Sequence, residues 1–293
     1  MITTFVLLHY KNHLDTIECI SSILKLNFSK SIVVVDNASK DCSIDIVKDN
    51  FKESKNLFFI ENERNLGFAE GNNIGYKFAR EKLNSDYIIV GNNDLIFDQA
   101  NFIQQINKIY QENKVELIGP DIESLQDHGH QNPMTGTSRK TLKINIELMR
   151  YRLLLLLSKY NLYDVLKRKK NNAIGMSLPK GLQKNTQRNV VLHGSIIIFT
   201  PSYVQNESKA FRPGTFLYME EDILYLYAQS KGYATLYEPT LHVYHKEDSS
   251  TNKAFGNNKK KREFVFKNMI KSMKVYRRYL MEYNKSKTSG RYN

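Results

Sequence analysis

Apolar residues come in short runs separated by turn-forming and amphipathic stretches along the first 120 residues. Ile2 to Leu8 is a compact apolar run, and its length predicts a first buried strand. Asn12 followed by Asp15 makes a capping-box-like pair, and Leu14, Ile17, Ile20, Ile23 and Leu24 then fall on one helical face. Ile32 to Val35 predicts the second strand, Ile44 to Phe51 a short helix, and Leu57 to Ile60 the third strand. Ala69 to Leu83 reads as a helix and Tyr87 to Val90 as a fourth strand. A helix near Ile103 to Tyr110 leads into Glu116 to Gly119. A strand-helix-strand rhythm of this kind predicts a parallel sheet joined by right-handed crossovers.

The pattern changes at Asp121 and stays different to about Asn189. A polar opening gives way to Ile144 to Leu166, rich in leucine and arginine, and then to Lys167-Arg168-Lys169-Lys170. This predicts an inserted loop and helix within a domain of residues 1–248. Its leucine run, Leu153 to Leu157, is too short to span a bilayer. Core-like sequence resumes at Val190 to Phe199, passes Phe216 to Asp222 into a helix ending near Lys231, and continues at Tyr233 to Tyr237. Residues 249–293 form a basic tail. Within it, Lys259 to Tyr283 places Phe266, Ile270, Met273, Tyr276 and Leu280 three or four residues apart.

Charge sharpens this division. The chain has 293 residues and a net charge of +13. Residues 139–172 carry +8 and residues 259–287 carry +9, so everything else carries −4. Two basic surfaces facing something anionic, a membrane or a nucleic acid, are therefore expected, with an acidic core between them. No run of eighteen apolar residues is present, and the start has neither the basic n-region nor the cleavage site of a signal peptide. The two cysteines, Cys19 and Cys42, stand in no metal-ligand spacing, so a reducing cytoplasm is expected.

The candidate chemistry lies where apolar runs end in acids. Ile32-Val33-Val34-Val35-Asp36 can deliver a carboxylate to a sheet rim to meet a nucleobase or ribose; an ordinary Asx-turn would look the same. Arg64 to Gly75 opens a helix with Gly67, Gly71 and Gly75. Such glycines allow close approach to an anion or simply tight packing of helix on sheet, and Arg64 could meet a phosphate or a base. Tyr87 to Val90 runs on to Asn92-Asn93-Asp94, where a carboxylate and an amide oxygen could hold a divalent cation on a diphosphate. Glu220-Glu221-Asp222 opens a later helix and could supply a general base. The alternation His242-Val243-Tyr244-His245 is expected to set both histidines on one side of a strand, where either could join a carboxylate on a metal.

These motifs, in this order, resemble the family 2 glycosyltransferases of GT-A type, in particular the bacterial rhamnosyltransferase-like branch. The resemblance covers residues 1–120 and 190–248. It implies an α/β fold, a nucleotide-diphospho-sugar transferase sheet, mixed and mostly parallel, flanked by helices, with a helical insertion and a C-terminal basic helix. It implies inverting transfer from a dTDP-rhamnose or UDP-hexose donor to a glycan or lipid-linked saccharide in bacterial surface polysaccharide synthesis. The donor-binding set would be His9, Tyr10, Asp36, Arg64, Gly67, Asn73, Asn92, Asn93 and Gly194. Asp94 and His245 would hold Mn2+ or Mg2+, and Asp222, beside Glu221, would be the base. Asn92 replaces the first acid of the family's metal motif, and Ala228 stands where an arginine is usual. The basic segments fit peripheral attachment to the anionic inner face of the cell membrane, with a homodimer as another use of the last helix. A nucleic-acid partner is not expected, because no nucleic-acid module is recognisable. A non-catalytic binding protein, or a sugar-nucleotide nucleotidyltransferase, is the competing reading. The latter wants a glycine-rich turn after strand one, where His9-Tyr10-Lys11-Asn12 stands.

Overall fold

A computed structural model describes residues 1–163, 180–247 and 258–288. Within them a single sheet runs in the order β3-β2-β1-β4-β8-β6-β9-β5, with β7 paired to β9. Its first four strands are β1 (Thr3–His9), β2 (Ser31–Asp36), β3 (Leu57–Glu61) and β4 (Tyr87–Asn92), all mutually parallel. Helices α1 (His13–Leu24), α2 (Ser43–Asn50) and α3 (Gly67–Glu81) make the crossovers. The second half is mixed. Strand β8 (Ile196–Phe199) runs antiparallel between β4 and β6 (Leu117–Ser124), and β6 runs parallel to β9 (Thr235–His245). Two-residue strands β5 (Leu95–Ile96) and β7 (Gln187–Arg188) pair antiparallel with β9.

The strands are apolar on both faces because helices cover both. Phe5 and Leu7 of β1 pack with Cys19, Ile20 and Ile23 of α1, Val47 of α2, and Ile103 and Ile106 of α4 (Phe102–Asn113). Val6 faces the other way, with Ala69, Tyr76 and Ala79 of α3, Tyr203 of α6 (Pro201–Asn206) and Leu224 of α7 (Glu220–Lys231). A strand buried on both faces needs a continuous apolar run rather than alternation, as Ile32 to Val35 has.

Three expectations change here. The apolar face expected on α1 is rotated: Leu14 and Leu24 are exposed, while Cys19, Ile20 and Ile23 enter the core. Asn12 caps nothing with its side chain, which instead bonds Asp15. Strand β6 continues to Ser124 and pairs Asp121 to Ser124 with His242 to His245 after a register shift, so those residues belong to the sheet and not to an insertion. The shift lets β9 re-aim its last residues at the rim of the sheet.

The inserted helix is α5 (Thr141–Lys159), and the last helix is α8 (Asn258–Thr288). Ile144 and Leu148 of α5 share a core with Met219 just before α7, with Ile223 and Leu226 of α7, and with Met273, Tyr276, Leu280 and Tyr283 of α8. The apolar stripe of the last helix is thus an internal face: Phe266, Met273, Tyr276 and Leu280 are buried, and Ile270 is half-buried. The Lys167–Lys170 run and the tail after residue 288 lie outside the described residues. No described helix is long and apolar enough to cross a membrane.

Candidate active site

The C-terminal ends of β1, β2 and β4 form one rim, as parallel strands dictate. Asp36 ends β2, and its carboxylate accepts hydrogen bonds from the Ser39 amide (3.1 Å to Oδ2) and the Ser39 hydroxyl. The turn geometry and the rim position therefore coexist at Asp36. It borders an open cleft with Ala38, Lys40, Asp41, Asn62 and Glu61. Tyr10, just past β1, is half-buried, with the Lys11 ammonium 5.3 Å from its ring centre.

His9 does not face that cleft. Its ring is fully buried, with Nδ1 2.8 Å from Thr16 Oγ1 and Nε2 2.9 Å from Ser43 Oγ. Burial lowers its pKa, so the ring is neutral near pH 7. Asn93 joins the same cluster by donating to Thr16 Oγ1 at 2.8 Å. Asn73 is likewise committed elsewhere: its amide both donates to and accepts from the Phe211 backbone, at 3.0 and 2.9 Å. The side chains of His9, Asn73 and Asn93, expected as donor contacts, brace the elements that carry the rim.

Asn37, which the motif reading passed over, organises the glycine-bearing loop. Its Oδ1 accepts from the Leu66 amide (2.9 Å) and Asn62 Nδ2 (3.3 Å), and its Nδ2 donates to Asn65 Oδ1 (3.0 Å) and Gly67 O (3.1 Å). An asparagine directly after a strand-ending acid was the available signal. Arg64 stands exposed on this loop. Gly67 has φ +79°, and a Cβ there would collide with the Phe216 carbonyl oxygen. The neighbouring Phe68 amide donates to that same oxygen at 2.7 Å. Gly67 thus lets the β3–α3 loop touch the segment leading into α7. Gly71 and Gly75 serve packing, against Leu8 and against Val6 and Val35.

After β4, Asn92 donates its backbone N–H to Ser195 O at 2.7 Å. Asp94 is buried, and its Oδ1 makes no hydrogen bond while lying 3.2 Å from His245 Nε2. His245 Nδ1 is 2.8 Å from Gln131 Oε1, and Gln131 uses its Nε2 on Glu247. With Gln131 oriented that way, His245 donates from Nδ1, and in its neutral form the imidazole turns the Nε2 lone pair toward Asp94. Two electron-pair donors then face each other across 3.2 Å with Asn92 Nδ2 3.5 Å from the imidazole. That is the arrangement a divalent cation resolves, and an N,O donor pair suits Mn2+ at least as well as Mg2+. The described residues hold no group of three or more His, Cys, Asp or Glu ligands, so such a cation would take most of its oxygens from a diphosphate and water. His242 does not share that side: three residues from His245 along β9, it falls on the opposite face and meets Asp98, Asp121 and Glu123 at 3.5 to 3.9 Å.

His193, absent from the sequence-derived set, packs its ring 6.2 Å from that of His245 and holds Ser195 Oγ at 2.8 Å through Nδ1. Burial, with His245 beside it, drives its pKa down to about 3, so it stays neutral. Gly194 follows, and a Cβ there would lie 3.5 Å from Glu221 Oε2. Tyr218 and Met219 both take positive φ, 74° and 70°, and so aim the start of α7. Three acids open that helix. Glu220 is buried with Oε1 unpartnered, and burial raises its pKa to about 7. Glu221 is raised to about 8 by burial first and by the neighbouring Glu220 and Asp222 charges next. Asp222 is raised too, by burial, but both its oxygens accept from Thr137: Oδ1 from the backbone N–H at 2.7 Å and Oδ2 from the hydroxyl at 2.8 Å. Asp222, the expected base, is thus tied to the segment before α5, and Glu221 is the acid that meets the Gly194 loop.

Residues 6–175 match the model of glycosyl transferase family 2, and the chain belongs to that family. A 124-residue stretch is 27% identical to the low-salt glycan biosynthesis hexosyltransferase Agl10 of Haloferax volcanii, covering 41% of this chain and 36% of that protein. The chain therefore spans about a third of that relative's length. Among solved structures it is similar to S. aureus TarS 1-349 in complex with UDP-GlcNAc, with TM-score 0.56, 12% identity, and coverage of 89% of this chain and 61% of that one. It is also similar to mannosyltransferase PcManGT from Pyrobaculum calidifontis in complex with GDP-Man and Mn2+, with TM-score 0.52, 11% identity, and coverage of 98% and 75%. The mixed sheet flanked by helices is the GT-A fold.

Proposed function

We propose that this family 2 glycosyltransferase moves a sugar from a nucleotide-diphosphate donor to a hydroxyl of a glycan or lipid-linked saccharide, with inversion, in bacterial surface polysaccharide synthesis. The observation that carries the reading is the facing pair Asp94 Oδ1 and His245 Nε2, with Glu221 across the Gly194–Ser195 turn. A dTDP-rhamnose or UDP-hexose donor fits the motif set. The UDP-GlcNAc bound to TarS and the GDP-Man and Mn2+ bound to PcManGT support a sugar nucleotide and a divalent cation in general terms.

On this reading Asp94 and His245 would hold the cation, and the pairing of Leu95 in β5 with His245 in β9 sets their spacing. A bound cation would neutralise the diphosphate and stabilise it as leaving group. Asp36 and the cleft beside it take the nucleoside, and Arg64 is a free-standing cation for the phosphates. Glu221 removes the acceptor proton. A base raised to about 8 has substantial affinity for the proton it must take, which favours the transfer once it is ionised. Asp222 and Thr137 lock the helix end that carries Glu221. A lipid-linked acceptor would bring the enzyme to an anionic membrane surface, and the basic segments suit it.

The test is a thermal-shift screen against UDP-, dTDP- and GDP-sugars with and without Mn2+. A ligand that binds only the folded state raises the melting temperature by mass action. A cation-dependent rise with one nucleotide supports the reading and names the base. No rise with any of them counts against it.

A further inference from the structure

Helix α5 is apolar on two opposite faces, and only one of them is used. Ile144 and Leu148 pack inward on α7 and α8. On the other side Leu142, Ile146, Met149, Leu153, Leu156 and Tyr160 form an exposed ridge, with Met149 69% and Leu142 71% accessible. Their spacing of four and three residues keeps them within about 40° of one line on a helix turning about 100° per residue. Isolated exposed leucines are ordinary, but a continuous ridge of this length marks a surface that is covered in use.

The flanks say by what. Lys143 and Arg150 lie about 80–100° to one side of the ridge, and Arg152 and Lys159 about 80–100° to the other. All four are exposed. Glu147 alone is acidic on the helix, and it pairs with Arg150 at 2.7 Å. Cations on both shoulders of an apolar ridge suit a helix lying in the plane of a bilayer, its ridge among acyl chains and its cations at anionic headgroups. A second copy of the same face would bring like charges together on both shoulders.

We infer that the outer face of α5 is a docking surface for an anionic lipid bilayer. The last helix, to which the apolar stripe first pointed, is instead the strut behind it. Through the shared core, α5 is packed against Met219 and Ile223, which flank the Glu220–Asp222 acids, so docking would orient the acceptor side of the active site. The transferase reading explains why a membrane would be near; the docking measurement stands apart from it.

The experiment is co-sedimentation of the full chain with phosphatidylcholine vesicles and with vesicles that also contain phosphatidylglycerol. Three proteins are compared: wild type, Met149→Asp with Leu153→Asp on the ridge, and Lys143→Glu with Arg152→Glu on the shoulders. Melting curves and the sugar-nucleotide thermal shift check that each variant folds and keeps its donor site. The wild type should partition to the anionic vesicles, and each double variant should partition about tenfold less or weaker still. Equal binding to neutral vesicles, or undiminished binding by the ridge variant, overturns the inference. So does a wild-type dimer in sedimentation velocity that the ridge variant splits while vesicle binding is unchanged. A missing sugar-nucleotide response would remove the transferase reading and leave the vesicle result standing.

Discussion

Asp94 and His245 meet at 3.2 Å, carboxylate oxygen to imidazole nitrogen, because β5 and β9 pair Leu95 with His245. Neither side chain has another strong partner at those two atoms, and Gln131 holds the far side of the imidazole.

Asp94→Asn should abolish the Mn2+-dependent part of sugar-nucleotide stabilisation, since the amide replaces the one charged ligand. Gln131→Ala touches neither the expected cation nor the substrate, yet it should weaken cation affinity by about tenfold by freeing the ring. Titration of Mn2+ against the thermal shift checks both, and a wild-type response from Asp94→Asn would remove that residue from the cation site.

Glu221→Gln should lower kcat by about 100-fold or more while donor binding is kept, as expected for loss of a general base. Asp222→Asn should act differently. One carboxylate oxygen becomes an NH2 that cannot accept from Thr137, and losing a hydrogen bond to a charged acceptor costs about 1.5–3 kcal/mol, so its main loss should be in melting temperature. Thr137→Val should share that loss. If Asp222→Asn keeps its stability and loses transfer, the base is Asp222.

Wild-type turnover at saturating substrates should climb with pH and level off above about 8, where Glu221 ionises. Stability should run the other way. The folded state raises this carboxyl from 4.5 to about 8, so its neutral form adds stability fully below 4.5, and that contribution is lost as pH rises through about 8. Glu221→Gln should flatten this part of the melting-temperature profile.

Gly67→Ala should be costly twice over. Its left-handed φ costs an alanine about 1–2 kcal/mol, and its Cβ would meet the Phe216 carbonyl. A melting-temperature drop of at least about 4 °C is expected, with weaker sugar-nucleotide binding because the Asn37-held loop moves. Gly75→Ala, whose Cβ would strike Val6 and Val35, should lower the melting temperature without changing affinity in the molecules that stay folded.

Periodicity made the parallel half of the sheet legible. Four apolar runs with helices between them could bury both faces only as β1 to β4 do, and their ends had to place Asp36 and Asn92 to Asp94 on one rim. The second half was less legible, because β5 and β7 are two residues each and β9 pairs across a register shift. Strands that short carry no period of their own.

By itself the sequence determined which residue types stand at strand ends and helix starts, and so the chemistry on offer: acids, amides, glycines and a histidine in a fixed order. Tertiary structure decided which of them are free to act. Long-range hydrogen bonds tied His9, Asn73, Asn93 and Asp222 to neighbours distant in sequence, set Asp94 and His245 against each other and placed Glu221 beside Gly194. It also turned the stripe of α8 inward and a leucine ridge of α5 outward. Both helices are amphipathic, or apolar on two sides, along their own length. Which apolar face is buried depends on which partner helix reaches it, and that is a property of packing between distant segments, not of either segment's pattern.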